Sequence, residues 1–171
     1  MGQLDIFVKR LRATYPKGYV PDFDPNDGGI NAEILLLFEK PGRKTDPSYG
    51  GSGFISQDND DGTANATKKF IIAAGINREK IVIWNTIPAW NGTRKITSSE
   101  RKNASNELSH LLNILKNVKS IILVGKEAQK MEKKVNLEKY RVIKSIHPSP
   151  INKKFARTDW ENIPSIWARA I

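Results

Sequence analysis

The sequence predicts an α/β fold in which helices cover both faces of a four-stranded parallel sheet, giving three layers. Four short segments have the length of strands: "AEILLLF" (32–38) and "KIVIW" (80–84), whose apolar runs indicate buried strands, "SIILV" (120–124) and "RVIKSI" (141–146). They alternate with segments of helical periodicity, which indicates right-handed crossovers and a parallel sheet. A length of 171 residues suits a single hydrophobic core. We therefore expect one domain over 1–171.

The N-terminal third predicts one helix and two long loops around the first strand. Leu4, Phe7, Val8 and Leu11 have the spacing of an amphipathic helix over 3–13. The stretch from 14 to 31 is rich in Pro, Gly, Asp and Asn and indicates a loop. More than 20 residues follow the first strand before the next helix, and loops of that length are usually functional.

The other helices are predicted from periodicity and from their ends. Residues 63–75 indicate a helix that stops at Gly75. Thr97 and Glu100 form a capping-box pattern before a leucine stripe. A short helix is expected over 126–134 and a final one over 160–170, where Pro164 is tolerated only in the first turn.

Composition favours a polyanionic partner. Lys and Arg number 28 against 18 Asp and Glu, so the net charge is +10. Residues 141–157 carry five basic side chains and no acid. This favours nucleic acid over a membrane surface, with a generic lysine-rich soluble surface as the alternative. No apolar run approaches ~20 residues and no secretory leader is evident, so we expect an intracellular protein without a membrane partner.

Three chemically versatile side chains follow three different predicted strands. They are Glu39, Asn85 and His147, and Gly125 with Lys126 follows the remaining strand. Parallel sheets bind ligands beyond the carboxyl ends of their strands, so we expect these groups at one edge of the sheet. The alternatives are a solvated loop acid, a turn-capping amide and a structural histidine.

Several other kinds of site are excluded. The chain has no cysteine and two histidines, which excludes thiolate-bound metals and a multi-histidine centre. "QDNDDG" (57–62) lacks the acids that a calcium loop requires at its first and twelfth positions, and no Walker loop or Gly-x-Ser-x-Gly elbow is present. We therefore expect no metal and no cofactor.

Four segments in order resemble the uracil-DNA glycosylase superfamily. "LLLFEKPG" (35–42) is similar to the first motif of its iron–sulfur branch, and "VIWNTIPAW" (82–90) to the strand that ends in the uracil-reading asparagine. "ILVGKEAQK" (122–130) resembles a strand–Gly–helix segment of the family. "HPSPI" (147–151) resembles its second catalytic motif. Together they span residues 32–157.

The resemblance implies a monofunctional DNA glycosylase that removes uracil, or another deaminated base, and initiates base-excision repair. The base is flipped out of the DNA before its glycosidic bond is hydrolysed. Asn85 would pair with uracil O4 and N3–H, and Phe54 would stack on the base. His147 would donate to uracil O2, and Glu39 would orient the attacking water. Other candidates for positioning the water are Asn59, Asp60 and Asp61.

The resemblance also implies contacts to uracil-containing DNA from the last motif and the basic segment after it. Ser149 would hold a phosphate, and Ile151 would fill the gap left by the flipped nucleotide. Lys153, Lys154 and Arg157 would neutralise phosphates. We expect a monomer.

The sequence departs from the family pattern at several positions. It lacks the cysteines of the iron–sulfur branch, which implies a compact member without a cluster. Phe38 replaces the usual first glycine, Lys40 stands where the best-known branch has its catalytic Asp, and Gly42 stands where that branch has a tyrosine. These differences leave two alternatives: a catalytically silent relative that binds damaged or single-stranded DNA, or an α/β enzyme that handles nucleotides.

Overall fold

A four-stranded parallel sheet forms the centre of the computed structural model, which describes residues 1–171. Its strands are β2 (Ile34–Phe38), β4 (Ile81–Asn85), β5 (Ser120–Val124) and β6 (Arg141–Ser145). Across the sheet their order is β4-β2-β5-β6, so β4 and β6 are the edge strands. Two further short strands, β1 (Asp22–Phe23) and β3 (Phe54–Ile55), pair with each other in parallel. The predicted parallel sheet is confirmed, with each strand within two residues of its expected bounds.

Seven α-helices surround the sheet. They are α1 (Gln3–Thr14), α2 (Gly62–Ala73), α3 (Ser98–Ile114), α4 (Lys126–Gln129), α5 (Pro150–Phe155), α6 (Arg157–Glu161) and α7 (Ile163–Trp167). The predicted capping box at the start of α3 is present, because Thr97 Oγ1 accepts from the Glu100 N–H and Glu100 Oε1 accepts from the Thr97 N–H. The helix expected over 126–134 is α4 followed by a 3₁₀ turn over Lys130–Lys133.

The C-terminal region differs from the single helix expected over 160–170. It contains α6, α7 and a last 3₁₀ turn over Ala168–Ala170. Pro164 lies in the first turn of α7, where its missing N–H costs no hydrogen bond. A continuous helix through this point would need that N–H to donate to the carbonyl of Trp160, so the chain starts a new helix at Ile163 instead.

The helices cover the two faces of the sheet in two groups. Trp84 of β4 packs edge-on against Phe7 of α1, and α1 also contacts α3. Phe38 of β2 packs against Trp167 of α7, which contacts α2. Phe38 is in register with Asn85, the residue after Trp84, and successive strand residues point to opposite faces. The two aromatic contacts therefore lie on opposite sides, which confirms the three-layer arrangement.

A single cluster of 39 buried apolar residues connects these layers. All five residues of β2, β4 and β5 are buried, as expected for strands covered on both faces. Trp167 is fully buried, and its Nε1–H donates to Ser145 Oγ at 2.8 Å. None of the helices has the length and apolar character needed to cross a lipid bilayer.

Candidate active site

A cleft of about 1200 Å³ opens at the carboxyl ends of the sheet strands. Glu39, Asn85 and His147 all contribute to its lining, although they are distant in the sequence. The structure therefore brings the three side chains that follow different strands into one cavity. Their chemical roles remain predictions.

Glu39 is held over the loop that follows β5. Its Oε2 accepts a hydrogen bond of 2.9 Å from the backbone N–H of Glu127, in the first turn of α4. Gly125 lies directly beneath the carboxylate: a Cβ at this position would lie 2.6 Å from Glu39 Cδ. Gly125 also has a φ of +88°, which a residue with a side chain rarely adopts. The absence of a side chain at 125 therefore makes room for the carboxylate.

Asn85 is the last residue of β4 and lies beside Phe38 in the register of the sheet. Its side chain is 5% exposed and borders the cleft, and its amide makes no hydrogen bond to another protein group. The backbone around it is fixed, since both Thr86 N–H and Thr86 Oγ1 donate to the carbonyl of Phe38. Ile87 N–H donates in turn to the carbonyl of Glu39. An almost buried amide without a partner is therefore held ready for a polar ligand.

His147 lies just beyond the end of β6, and its ring packs edge-to-face on Phe38 with centroids 5.6 Å apart. The Asn152 side-chain amide donates to the His147 carbonyl at 2.8 Å, which links the histidine to the helix that follows it. Burial, reinforced by the charge of Arg94, lowers the pKa of His147 to about 4. The imidazole is therefore neutral at neutral pH, with one ring N–H available as a donor.

The segment after His147 contains the helix α5, which the sequence analysis did not predict. Ser149 is the N-cap of α5, its Oγ accepts from Asn152 N–H, and Pro150 occupies the first helical position. Ser149 and Ile151 both line the cleft, and Ile151 is 65% exposed. A serine before Pro150 was the sequence signal for this helix.

The predicted basic DNA contacts lie on the surface beyond the cleft. Lys153, Lys154 and Arg157 are exposed and do not line it. Lys153 Nζ lies 5.1 Å from the centroid of the Trp160 ring, and Arg157 pairs with Glu161 at 2.9 Å.

Phe54 is not brought to the cleft. Its side chain is 36% exposed and the adjacent Ile55 lines the cavity instead, because successive residues of β3 point in opposite directions. The stacking role assigned to Phe54 stays a prediction. Phe38 and Tyr49 are aromatic residues that do line the cleft.

Of the three alternative candidates for positioning the water, two line the cleft and one does not. Asn59 and Asp61 line the cleft, and Asp60 does not. Asn59 is already engaged, since its Oδ1 accepts from Ser52 Oγ at 2.7 Å and its Nδ2 donates to the Phe54 carbonyl at 2.9 Å. Asp61 is the N-cap of α2 and accepts from Ala64 N–H. Glu39 and Asp61 each keep one carboxylate oxygen without a hydrogen-bond partner, so both have an acceptor free for a water molecule, whereas Asn59 has none.

Lys40, which replaces an acid of the best-known branch, has a structural partner. Its side chain is 4% exposed, and Nζ lies 3.0 Å from Glu100 Oε2 and 2.8 Å from Asn91 Oδ1. The ammonium thereby joins the end of β2 to the β4–α3 loop and to α3. Sequence analysis missed this pair because its members are distant along the chain.

Arg94 is a second residue that sequence analysis missed. It follows the "NG" turn after β4, lines the cleft and forms no ion pair. Burial lowers the pKa of His147, and the positive charge of Arg94 adds to this effect. A basic residue in a loop at the carboxyl end of a strand was the available signal. The structure contains no group of three or more His, Cys, Asp or Glu side chains arranged to hold a metal ion.

Comparison with solved structures identifies proteins of similar fold. A solution NMR structure of a candidate uracil DNA glycosylase from Methanosarcina acetivorans superposes with a TM-score of 0.54 at 18% identity, covering 82% of this chain and 91% of the other. A crystal structure of a mimivirus UNG variant in complex with UGI gives a TM-score of 0.51 at 13% identity. That alignment covers 85% of this chain and 64% of the other. At these identities the similarity shows the fold alone.

Family membership is shown by the sequence as a whole. No curated protein sequence matches this chain at a significant level. The family model described as the uracil DNA glycosylase superfamily matches residues 25–169. This range includes every strand of the main sheet, together with Glu39, Asn85 and His147. The chain therefore belongs to the uracil DNA glycosylase superfamily.

Proposed function

We propose that this protein is a DNA glycosylase that hydrolyses the bond between uracil and deoxyribose in DNA and so initiates base-excision repair. The observation that carries the proposal is the unpartnered Asn85 amide, which lies in the same cleft as a neutral histidine and a carboxylate. Family membership supports a glycosylase-type enzyme, and the residues of the cleft are the basis for the proposed substrate and mechanism.

Asn85 would select the base. Its side-chain N–H donates to uracil O4 and its carbonyl accepts from N3–H, whereas cytosine presents the reverse pattern at these two positions. A buried polar group left without its partner costs about 1–3 kcal/mol, so each mismatch is penalised. The fixed backbone around Asn85 holds the side chain at one place in the cleft wall.

His147 would stabilise the leaving group. As the bond between uracil N1 and the sugar C1′ breaks, its electron pair moves onto the uracil ring and reaches O2. A neutral imidazole N–H can donate to this oxygen, and the Arg94 guanidinium adds a positive charge on the same side. A preorganised donor at developing charge is worth about 3–4 kcal/mol.

Glu39 would act on the sugar side of the bond. One carboxylate oxygen is fixed by Glu127 N–H, and the other is free to accept from a water molecule. The water oxygen forms the new bond to C1′ and loses its proton, while the negative carboxylate stabilises the positive charge on the sugar. Uracil leaves as the free base after it is protonated.

The test is uracil release from a labelled oligonucleotide by purified protein, with and without a chelator. Asn85→Ala and Glu39→Gln should each lose most of the activity and keep the thermal unfolding midpoint close to wild type, because neither side chain is part of the core. Arg10→Ala, on α1 and outside the cleft, is the control and should retain the rate. Absence of uracil release by the folded wild-type protein refutes the proposal.

A catalytically silent DNA-binding relative is the second candidate. Phe38 favours it, because its ring occupies part of the cleft wall at the place of a family glycine. Salt-sensitive binding of uracil-containing DNA without product would establish this function, and turnover would exclude it.

A further inference from the structure

The outer face of α5 carries two large apolar side chains that protein does not cover. Ile151 is 65% exposed and Phe155 is 77% exposed, the highest exposure of any aromatic residue in the chain. They are four positions apart and therefore lie on one face of the helix. Exposure of an aromatic ring next to a second apolar side chain is unfavourable in water and marks a binding surface.

The charge around this face fits nucleic acid. Lys153 and Lys154 are exposed on the same helix, and residues 141–157 contain no acid. Lys154 Nζ lies 5.2 Å from the centroid of the Phe155 ring. Aromatic rings combined with nearby cations are the usual means of binding single-stranded DNA, since bases stack on the rings and phosphates meet the cations.

The position of Phe155 relative to the cleft is equally informative. Ile151 lines the cleft, and Phe155 follows it by one helical turn, about 6 Å along the axis. Successive bases of one strand are about 3.4 Å apart, so this distance corresponds to roughly two base steps. A strand whose nucleotide enters the cleft past Ile151 would present the base about two positions further along to Phe155.

We propose that Phe155 is a stacking platform for an unpaired base about two positions from the flipped nucleotide, so that the protein binds single-stranded DNA in preference to duplex. This inference extends the proposed glycosylase function to its substrate class. In a duplex the neighbouring bases are already paired and stacked, and exposing one of their faces to the ring requires unfavourable unstacking.

The test measures binding to uracil-free DNA by fluorescence anisotropy, with a labelled single strand and the matched duplex at equal salt. Wild-type protein should bind the single strand more tightly. Phe155→Ala should weaken single-strand binding about 10-fold and change duplex binding less than about twofold, since stacking of one base contributes at this level. Phe155→Trp should retain tight binding. Ile72→Ala, at a 69% exposed position of α2, is the control and should bind as wild type.

Three outcomes overturn the proposal: tighter binding of the duplex by wild type, unchanged single-strand binding by Phe155→Ala, or equal loss on both DNAs. Sedimentation velocity tests the other occupant of this face. A dimer that Phe155→Ala converts to a monomer would assign the surface to self-association instead. Because the probes contain no uracil, this result is independent of glycosylase activity, and a protein that releases uracil can still fail the binding test.

Discussion

Replacement of Gly125 by alanine tests how the cleft holds its carboxylate. The new Cβ would lie 2.6 Å from Glu39 Cδ and 2.9 Å from both carboxylate oxygens. Carbon atoms in ordinary contact are about 3.5 Å apart or more, so the carboxylate has to move by about 1 Å. The hydrogen bond from Glu127 N–H is lost or lengthened in the same movement.

The expected effect has a catalytic part and a stability part. A misplacement of about 1 Å at a reacting group lowers rates roughly 10²-fold, and this is the loss of uracil release that we expect. A side chain at a φ of +88° destabilises the fold by about 1–3 kcal/mol. Each kcal/mol lowers the melting temperature of a chain this size by about 2–4 °C.

Gly75→Ala is the control that separates the effect on catalysis from the effect on stability. Gly75 has a φ of +74°, and no atom lies within 4 Å of a Cβ built on it. It therefore carries backbone strain without the clash at Glu39. Single-turnover uracil release is measured for both variants well below their melting temperatures, with circular dichroism as a check on folding. If Gly125→Ala releases uracil as fast as Gly75→Ala, Gly125 does not position Glu39 and the argument is wrong.

Two further predictions concern buried ionisable side chains. The imidazole of His147 should titrate near pH 4 when followed by NMR. A histidine in the unfolded chain takes up its proton near pH 6.5, so protonation favours the unfolded state between these two values. The free energy of unfolding of the wild type should therefore fall by up to about 3 kcal/mol relative to His147→Gln as the pH is lowered from 6.5 to 4. Burial raises the pKa of Asp27 to about 6, which changes stability in the opposite direction over this pH range, and the comparison with the variant cancels that contribution. A His147 titration midpoint near pH 6.5 would contradict the buried position of the ring. Lys40→Met should lower the free energy of unfolding in urea by about 3 kcal/mol, because the Glu100 carboxylate stays buried without its cation. The double variant Lys40→Met/Glu100→Gln should recover part of that loss, and a double variant no more stable than the single one would show that the pair is not the cause.

Three of the four strands could be predicted from sequence because they are covered on both faces. Continuous apolar runs are then required, and their ends mark the ends of the strands. The same reasoning predicted Glu39, Asn85 and His147 at one edge, since the carboxyl ends of parallel strands share it.

Features that depend on contacts between distant segments could not be predicted. The Lys40–Glu100 pair joins residues from different elements, and nothing next to Lys40 in the sequence indicates its burial. The direction of Phe54 depends on the pleat of a two-residue strand whose partner is also two residues long. A shift of one residue would exchange Phe54 and Ile55, and no local pattern fixes that register.

The start of α5 was missed for a local reason. Two prolines close together in "HPSP" are typical of an extended loop, and Pro148 does lie in one. Pro150, however, follows a serine and occupies the first helical position, where its fixed φ favours a helix. The serine and proline at 149–150 were therefore the informative part of this segment.

The order of the strands has a consequence for how the proposed activity would depend on folding. Asn85 comes from one border strand, His147 follows the opposite border strand, and Glu39 follows an interior one. No half of the sheet holds all three of the groups to which the proposal assigns a role, so a partly folded or truncated chain would release no uracil even when most of its backbone is native. On the proposed function, turnover would report completed folding across the whole width of the protein.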